Sequence, residues 1–247
     1  MNARYDEDQT PLHVASQLGQ LEILRSLIAR GANPNSENAI KETPLFIASR
    51  NGNIETTQLL LKNRADVNHL DLEKRTPLHE ASEKGHDSVV QLLLRSQANC
   101  NAKNMYQWTP LHLASRTGKS AVIQALFDWG AEVNVQNVSK WASLHMASQK
   151  GHVEIAKLLL ARNARVDDKK ADGETGLHLA AYYGHVEVVG LLISQNADQH
   201  IRNNRGETAL DLAREKRHEN IVQLIEAGIG DLAVAPTIQF VRDAPSL

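Results

Sequence analysis

The chain has 247 residues, of which 42% are hydrophobic and 23% charged, and its formal net charge is −2. That balance excludes global attraction to nucleic acid or anionic membranes, and a lone cysteine, Cys100, excludes an internal disulfide or a shared-thiol zinc site. Aromatics, at 4%, are too scarce for one large aromatic core.

In chain order, the segment from Met1 to Asp8 is polar and acidic, with no obvious signal peptide. No run approaches the apolar length of a spanning helix, so a reducing, cytoplasmic or nuclear setting is expected. Asn137-Val138-Ser139 is then a chance match to a glycosylation sequon. Asn2 falls in phase with Asn35, Asn68, Asn101 and Asn134, so the chain is read as opening at the last link of a unit. It is either a segment of a longer array or one with an abbreviated first repeat.

Thr10-Pro11-Leu12-His13 then begins a pattern that recurs at Thr43, Thr76 and Thr109, and in altered form at Ala142, Thr175 and Thr208, every 33 residues without insertion. Such self-similarity is the mark of a repeat architecture. Within each unit, Thr predicts a helix N-cap whose hydroxyl accepts from an orphan backbone N–H. Proline suits the first helical position, where its missing N–H costs nothing. A small residue follows in every copy, from Ala15 to Ala213, and lets neighbouring helices approach. Gly19, Gly52, Gly85, Gly118, Gly151 and Gly184 end the first helix in a left-handed conformation.

The second helix of each unit carries apolar residues spaced three and four apart, as in Val90, Leu93 and Leu94 or Val189, Leu192 and Ile193. Polar links such as Arg64-Ala65-Asp66-Val67-Asn68 are too short for another helix and are read as hairpin-like projections. Repeat five loses both cap residues, becoming Ala142-Ser143, at a local cost of about 1 kcal/mol. In repeat seven the loop glycine is Arg217 and an apolar position is Glu226, the polar outer face of a terminal repeat. The array is therefore expected over residues 1–228, with 229–247 a tail containing a strand-like run from Thr237 to Val241.

The Thr-Pro-Leu-His runs, Ala-rich first helices, Gly-His loops (Gly85-His86, Gly151-His152, Gly184-His185), paired leucines and Ala-Asp-Val-Asn links strongly resemble the ankyrin repeat family. The resemblance implies an all-α solenoid of antiparallel helix pairs with projecting β-hairpin-like loops and a concave binding face. It departs at the turn residue two before each Thr, which is glycine only at Gly173 and Gly206. Elsewhere it is Lys41, Lys74, Gln107 or Lys140, so another turn type is expected at those tips, because a left-handed non-glycine residue costs about 1–2 kcal/mol.

No chemistry is legible. Nine of the eleven histidines occupy two repeat slots and cannot converge on one ion, so no metal, cofactor or catalytic residue is expected. Thr117-Gly118-Lys119-Ser120 lacks the strand and first glycine of a phosphate-binding loop. The resemblance places the residues just before each Thr, and the two before each loop glycine, on the concave side. Five of the ten aromatics fall there, all in repeats four to six: Tyr106, Trp108, Trp141, Tyr182 and Tyr183. Met105, Val138, Arg116 and Lys150 accompany them. Exposed aromatic clusters are where binding energy concentrates; the structural alternative is that the rings cover gaps left by irregular tips. Trp129 lies off this surface and is read as packing.

A monomeric protein-interaction scaffold is therefore expected, without nucleic acid or membrane insertion. Its partner would carry apolar anchors and acidic residues, the latter facing Lys74, Arg75, Lys84, Arg116, Lys119, Lys140 and Lys150. The alternatives are a targeting segment of a larger enzyme or channel, or a passive spacer. The resemblance also implies that link asparagines can be hydroxylated, with Asn68 and Asn134 the candidates, although asparagine suits such a turn in any case.

Overall fold

The computed structural model describes residues 8–229. Four helix pairs come first: α1 (Pro11–Gln17) with α2 (Leu21–Ala29), α3 (Pro44–Arg50) with α4 (Ile54–Lys62), α5 (Pro77–Lys84) with α6 (Asp87–Arg95), and α7 (Pro110–Thr117) with α8 (Ser120–Asp128). Three more follow: α9 (Ser143–Lys150) with α10 (Val153–Ala161), α11 (Gly176–Tyr183) with α12 (Val186–Ser194), and α13 (Ala209–Glu215) with α14 (Glu219–Ile229). Odd-numbered helices stack on one another in an inner row and even-numbered helices in an outer row, each pair also packing within its repeat. Among the described residues there is no strand. The opening link at Met1 and Asn2, and the run from Thr237 to Val241, lie outside the described residues, and Ile229 closes α14.

The periodic positions build one continuous core. The Leu of each Thr-Pro-Leu run is buried in repeats one to six, and the small residue from Ala15 to Ala213 is buried in all seven. Leu60, Leu93, Leu126, Leu159 and Leu192 close the second layer, each fully buried between neighbouring repeats. Burial of one such leucine is worth about 1.5–3 kcal/mol, and it depends on the neighbouring repeats, whose helices pack against one another along both rows. No single repeat could hold its helices together alone.

Histidine takes over part of the capping expected of threonine. Thr43, Thr76, Thr109 and Thr208 do accept from the backbone N–H three residues on, at 3.2–3.5 Å, but Thr175 does not. The shorter bonds run to the ring: the backbone N–H of Thr76 and Thr109 donates to Nδ1 of His79 and His112 at 3.1 Å. Ala142, with no hydroxyl, keeps this half, its N–H donating to His145 Nδ1 at 3.0 Å. An Nδ1 that accepts fixes the proton on Nε2, which donates to a carbonyl in the next repeat: Trp108 for His79, Trp141 for His112 and Asp168 for His145. The Gly-His histidines bridge backwards, His86 to the Arg50 carbonyl and His152 to that of Arg116.

The tips correct the expectation of another turn type. Lys41, Lys74, Gln107 and Lys140 all adopt positive φ, between 58° and 63°, as Gly173 and Gly206 do. The strain is tolerated because each tip is closed around an Asn or Asp three residues earlier. Asn104 accepts at Oδ1 from the N–H of Tyr106 and of Trp108, while Gln107 N–H donates to the Asn104 carbonyl. Asn38, Asp71 and Asn137 repeat the arrangement. Such a turn followed by a left-handed residue is a three-residue hairpin loop. Lys41→Gly should therefore raise stability by about 1 kcal/mol, the relief of left-handed strain less the added freedom of the unfolded chain. A lower urea midpoint for Lys41→Gly than for wild type would show that the lysine is not strained.

Candidate functional site

The hairpin tips stand beside the inner helices, and the angle between them holds a cleft of about 400 Å³ at repeats three to five. Its walls are Tyr106, Trp108, Val138 and Trp141 from the tips and Leu113 and Arg116 from α7. Both tryptophans are half-buried, while Tyr106 and Val138 are exposed. Their placement is dictated from two sides. The Asn104 and Asn137 side chains hold the tryptophan N–H groups, and His79 and His112 of the preceding repeats hold their carbonyls.

Charge around the cleft is largely internal. Arg75 lies 2.9 Å from Glu80 and 2.5 Å from Glu83, and Glu83 also pairs with Arg116. Arg116 in turn sits over the Trp108 ring, 4.9 Å from its centroid. Burial raises the Glu80 carboxyl above its ordinary range, more than Arg75 and Arg50 lower it. Burial acts the same way on Glu83, but the hydrogen bond and charge of Arg75, with Arg116 behind them, hold it below. Lys170 covers Trp141 at 5.0 Å while bound to Asp172 and Glu174. Arg75 and Arg116, counted from the sequence as facing an acidic partner, are thus engaged by Glu80 and Glu83. The lysines at the rim remain: Lys74, Lys84, Lys140 and Lys150 are exposed and have no ion pair among the described residues.

Of the nine candidate contact residues, the structure brings Tyr106, Trp108, Arg116, Val138 and Trp141 together around the cleft. Met105 is about half exposed at the same tip as Tyr106 but is not part of the cleft lining, and Lys150 closes α9 outside it. Tyr182 and Tyr183 form a separate pair one repeat on, ring centroids 5.0 Å apart, with Lys216 over Tyr182. Trp129 is not packed as expected: it follows the last residue of α8 with 49% of its surface exposed, beside Gln91, Arg95 and Asp128. Arg75, read from the sequence as a groove charge, also lines the cleft with Glu73 and Glu83, and Asn104 lines it without any signal in the sequence having marked it as a contact residue.

Asn68 and Asn134, the hydroxylation candidates, are inter-repeat braces. Asn68 donates to the Gln97 carbonyl and accepts from the Asn99 N–H, and Asn134 does the same with Asn163 and Arg165. Asn35 and Asn101 form identical bonds, so the geometry gives every such asparagine a structural task. Asn137 of the sequon is buried inside its tip. Among the described residues no group of three His, Cys, Asp or Glu side chains is placed to hold a metal ion, and no helix is long and apolar enough to cross a membrane.

Comparison with known proteins agrees with this architecture. A family model described as ankyrin repeats (3 copies) matches residues 12–104, 45–137, 96–170 and 144–232. No curated protein sequence matches the chain. Among solved structures, the crystal structure of the human ASB11 ankyrin repeat domain superposes with a TM-score of 0.83 at 30% identity, covering 91% of this chain and 100% of that one. With matched models running across most of its length, the chain belongs to the ankyrin repeat family.

Proposed function

We propose that the chain is a scaffold that holds a protein partner in the cleft between hairpin tips and inner helices at repeats three to five. Ankyrin repeats are protein–protein interaction modules. The observation that carries the assignment to this cleft is the convergence of Trp108 and Trp141, two in-phase tryptophans, with Tyr106 around one recess. Tryptophan and tyrosine lining a concave surface supply large apolar contact at low entropic cost. The array acts as a monomer in the cytoplasm or nucleus, without cofactor, and its partner offers apolar anchors to the rings.

Trp108→Ala and Trp141→Ala test the reading. Capture of interacting proteins from cell lysate should fall at least about tenfold for each, the loss of one buried aromatic anchor. Circular dichroism would establish that both variants are folded, and Tyr182→Ala, outside the cleft, should retain capture. Equal capture by wild type and both tryptophan variants would move the interface elsewhere.

A further inference from the structure

We infer that the segment received along these tips is an acidic peptide in the polyproline-II conformation with an apolar residue at every third position. This rests on the interaction reading above and adds the shape and chemistry of the partner.

The tips of repeats three to five each expose an apolar side chain at the same repeat position, Leu72 at 57%, Met105 at 48% and Val138 at 62% of their surface, while Ile40 of repeat two, 49% exposed, stands one residue later in its tip, in phase with Glu73 and Tyr106. These tips are joined edge to edge by backbone bonds, Leu72 N–H to Ile40 carbonyl, Met105 to Glu73 and Val138 to Tyr106, at 2.8–3.2 Å. Within each hairpin the two legs are bonded as well, as from Asn104 N–H to Trp108 carbonyl. The period of the row is therefore two inter-strand spacings, about 9.5 Å, in agreement with helix packing at about 8–10 Å.

A polyproline-II peptide returns to the same face every three residues, after about 9.3 Å. A β-strand returns to one face every about 6.7 Å and cannot present every third residue on it. An α-helix returns after two turns, about 10.5 Å, and drifts out of register by about 1 Å per repeat. The polyproline-II backbone also keeps its carbonyls unpaired. The indole N–H groups of Trp108 and Trp141 have no acceptor among the described residues and are not buried orphans, so they can donate to such carbonyls. Charge selects the remaining positions. With Arg75 and Arg116 engaged by Glu80 and Glu83, the exposed rim is Lys74, Lys84, Lys140 and Lys150 against Glu73 alone, which complements an acidic segment.

The test measures fluorescence anisotropy of the full chain with three labelled peptides: a tetramer of Leu-Pro-Glu, the same residues with leucines grouped at one end, and a tetramer of Leu-Pro-Lys. The Leu-Pro-Glu tetramer should bind at least about tenfold tighter than either control, and its affinity should fall as salt rises from about 50 to about 300 mM. Trp141→Phe, which keeps a ring and removes the donor, should weaken it several-fold, with folding checked by circular dichroism. Equal binding of the grouped peptide would overturn the three-residue register, and equal binding of the lysine peptide would overturn the charge assignment. If no peptide binds while lysate capture still depends on Trp108, this inference fails and the interaction reading stands. If both tests are insensitive to the tryptophans, both fail. Binding of no peptide with concentration-dependent dimers in sedimentation would give the surface to a second copy of the chain.

Discussion

Acidification from pH 6.5 to about 4 should unfold the array. Burial drives His79, His112 and His145 from the ordinary value of 6.5 down to about 4, more than their bonds to the Trp108, Trp141 and Asp168 carbonyls raise them. His178 is displaced in the same direction by burial. In each ring Nδ1 must stay bare to accept the Thr or Ala N–H, so the fold accommodates only the neutral form. The native state thus resists protons that the unfolded chain takes up. The associated stability is complete above pH 6.5 and is lost as the pH falls towards the folded value of about 4.

Each histidine accounts for on the order of 3 kcal/mol over that window. Three together approach the whole stability of an ordinary domain, about 5–15 kcal/mol. Glu80, Asp71 and Asp168, whose carboxyls burial raises, work in the opposite sense against the four histidines that it lowers. Repeat two supplies the control, because Phe46 occupies the histidine slot there and is fully buried. His112→Phe should cost about 1–2 kcal/mol at neutral pH through the lost bridge to the Trp141 carbonyl, yet leave the variant the more stable protein near the acid end. Urea midpoints measured across the range should cross. Parallel curves for wild type and variant would show that His112 does not resist protonation in the fold.

The repeat was legible because each of its positions solves a local problem. Pro11, Leu12, Ala15 and Gly19 follow from helix initiation, burial, close approach and left-handed termination, and none needs knowledge of a distant residue. The tips were harder. Lys74 or Gln107 at a left-handed position argues against the turn when read alone, and the compensation comes from the side chains of Asp71 and Asn104. Those residues recur in phase as Asn38 and Asn137, which was a readable signal. Choosing residues that the repeat does not dictate led to Trp108 and Trp141. It grouped Tyr182 with them only because position along the chain cannot say that Tyr182 would turn to Tyr183 and Lys216. It also overcounted the free positive charge, since the pairing of Arg116 with Glu83 joins residues on adjacent inner helices.

One departure in the apolar pattern did announce that network. The slot holding Ile47, Leu113, Met146 and Leu179 in other repeats holds Glu80 in the third, and Glu80 is 4% exposed. A carboxylate there requires a partner, and Arg75 provides it at 2.9 Å. Arg75→Met should therefore cost about 3–5 kcal/mol at neutral pH, the penalty for leaving a buried charge unpaired. Without the arginine, the Glu80 carboxyl rises further above its unfolded value. The loss relative to wild type should then be greatest at neutral pH and shrink as acid neutralises the group. Arg75→Met/Glu80→Met should recover most of it, because a buried ion pair replaced by apolar side chains is close to neutral in stability, and methionine already fills the slot at Met146. A double variant no more stable than Arg75→Met would show that the cost arises from lost packing of the Arg75 stem. Glu83 separates the structural role of the network from its effect on the cleft. It binds both arginines, so losing Arg75 leaves it to Arg116 alone and shifts the guanidinium over Trp108. Even the rescued double variant should therefore show altered Trp108 fluorescence, which ties Glu80 to the shape of the cleft.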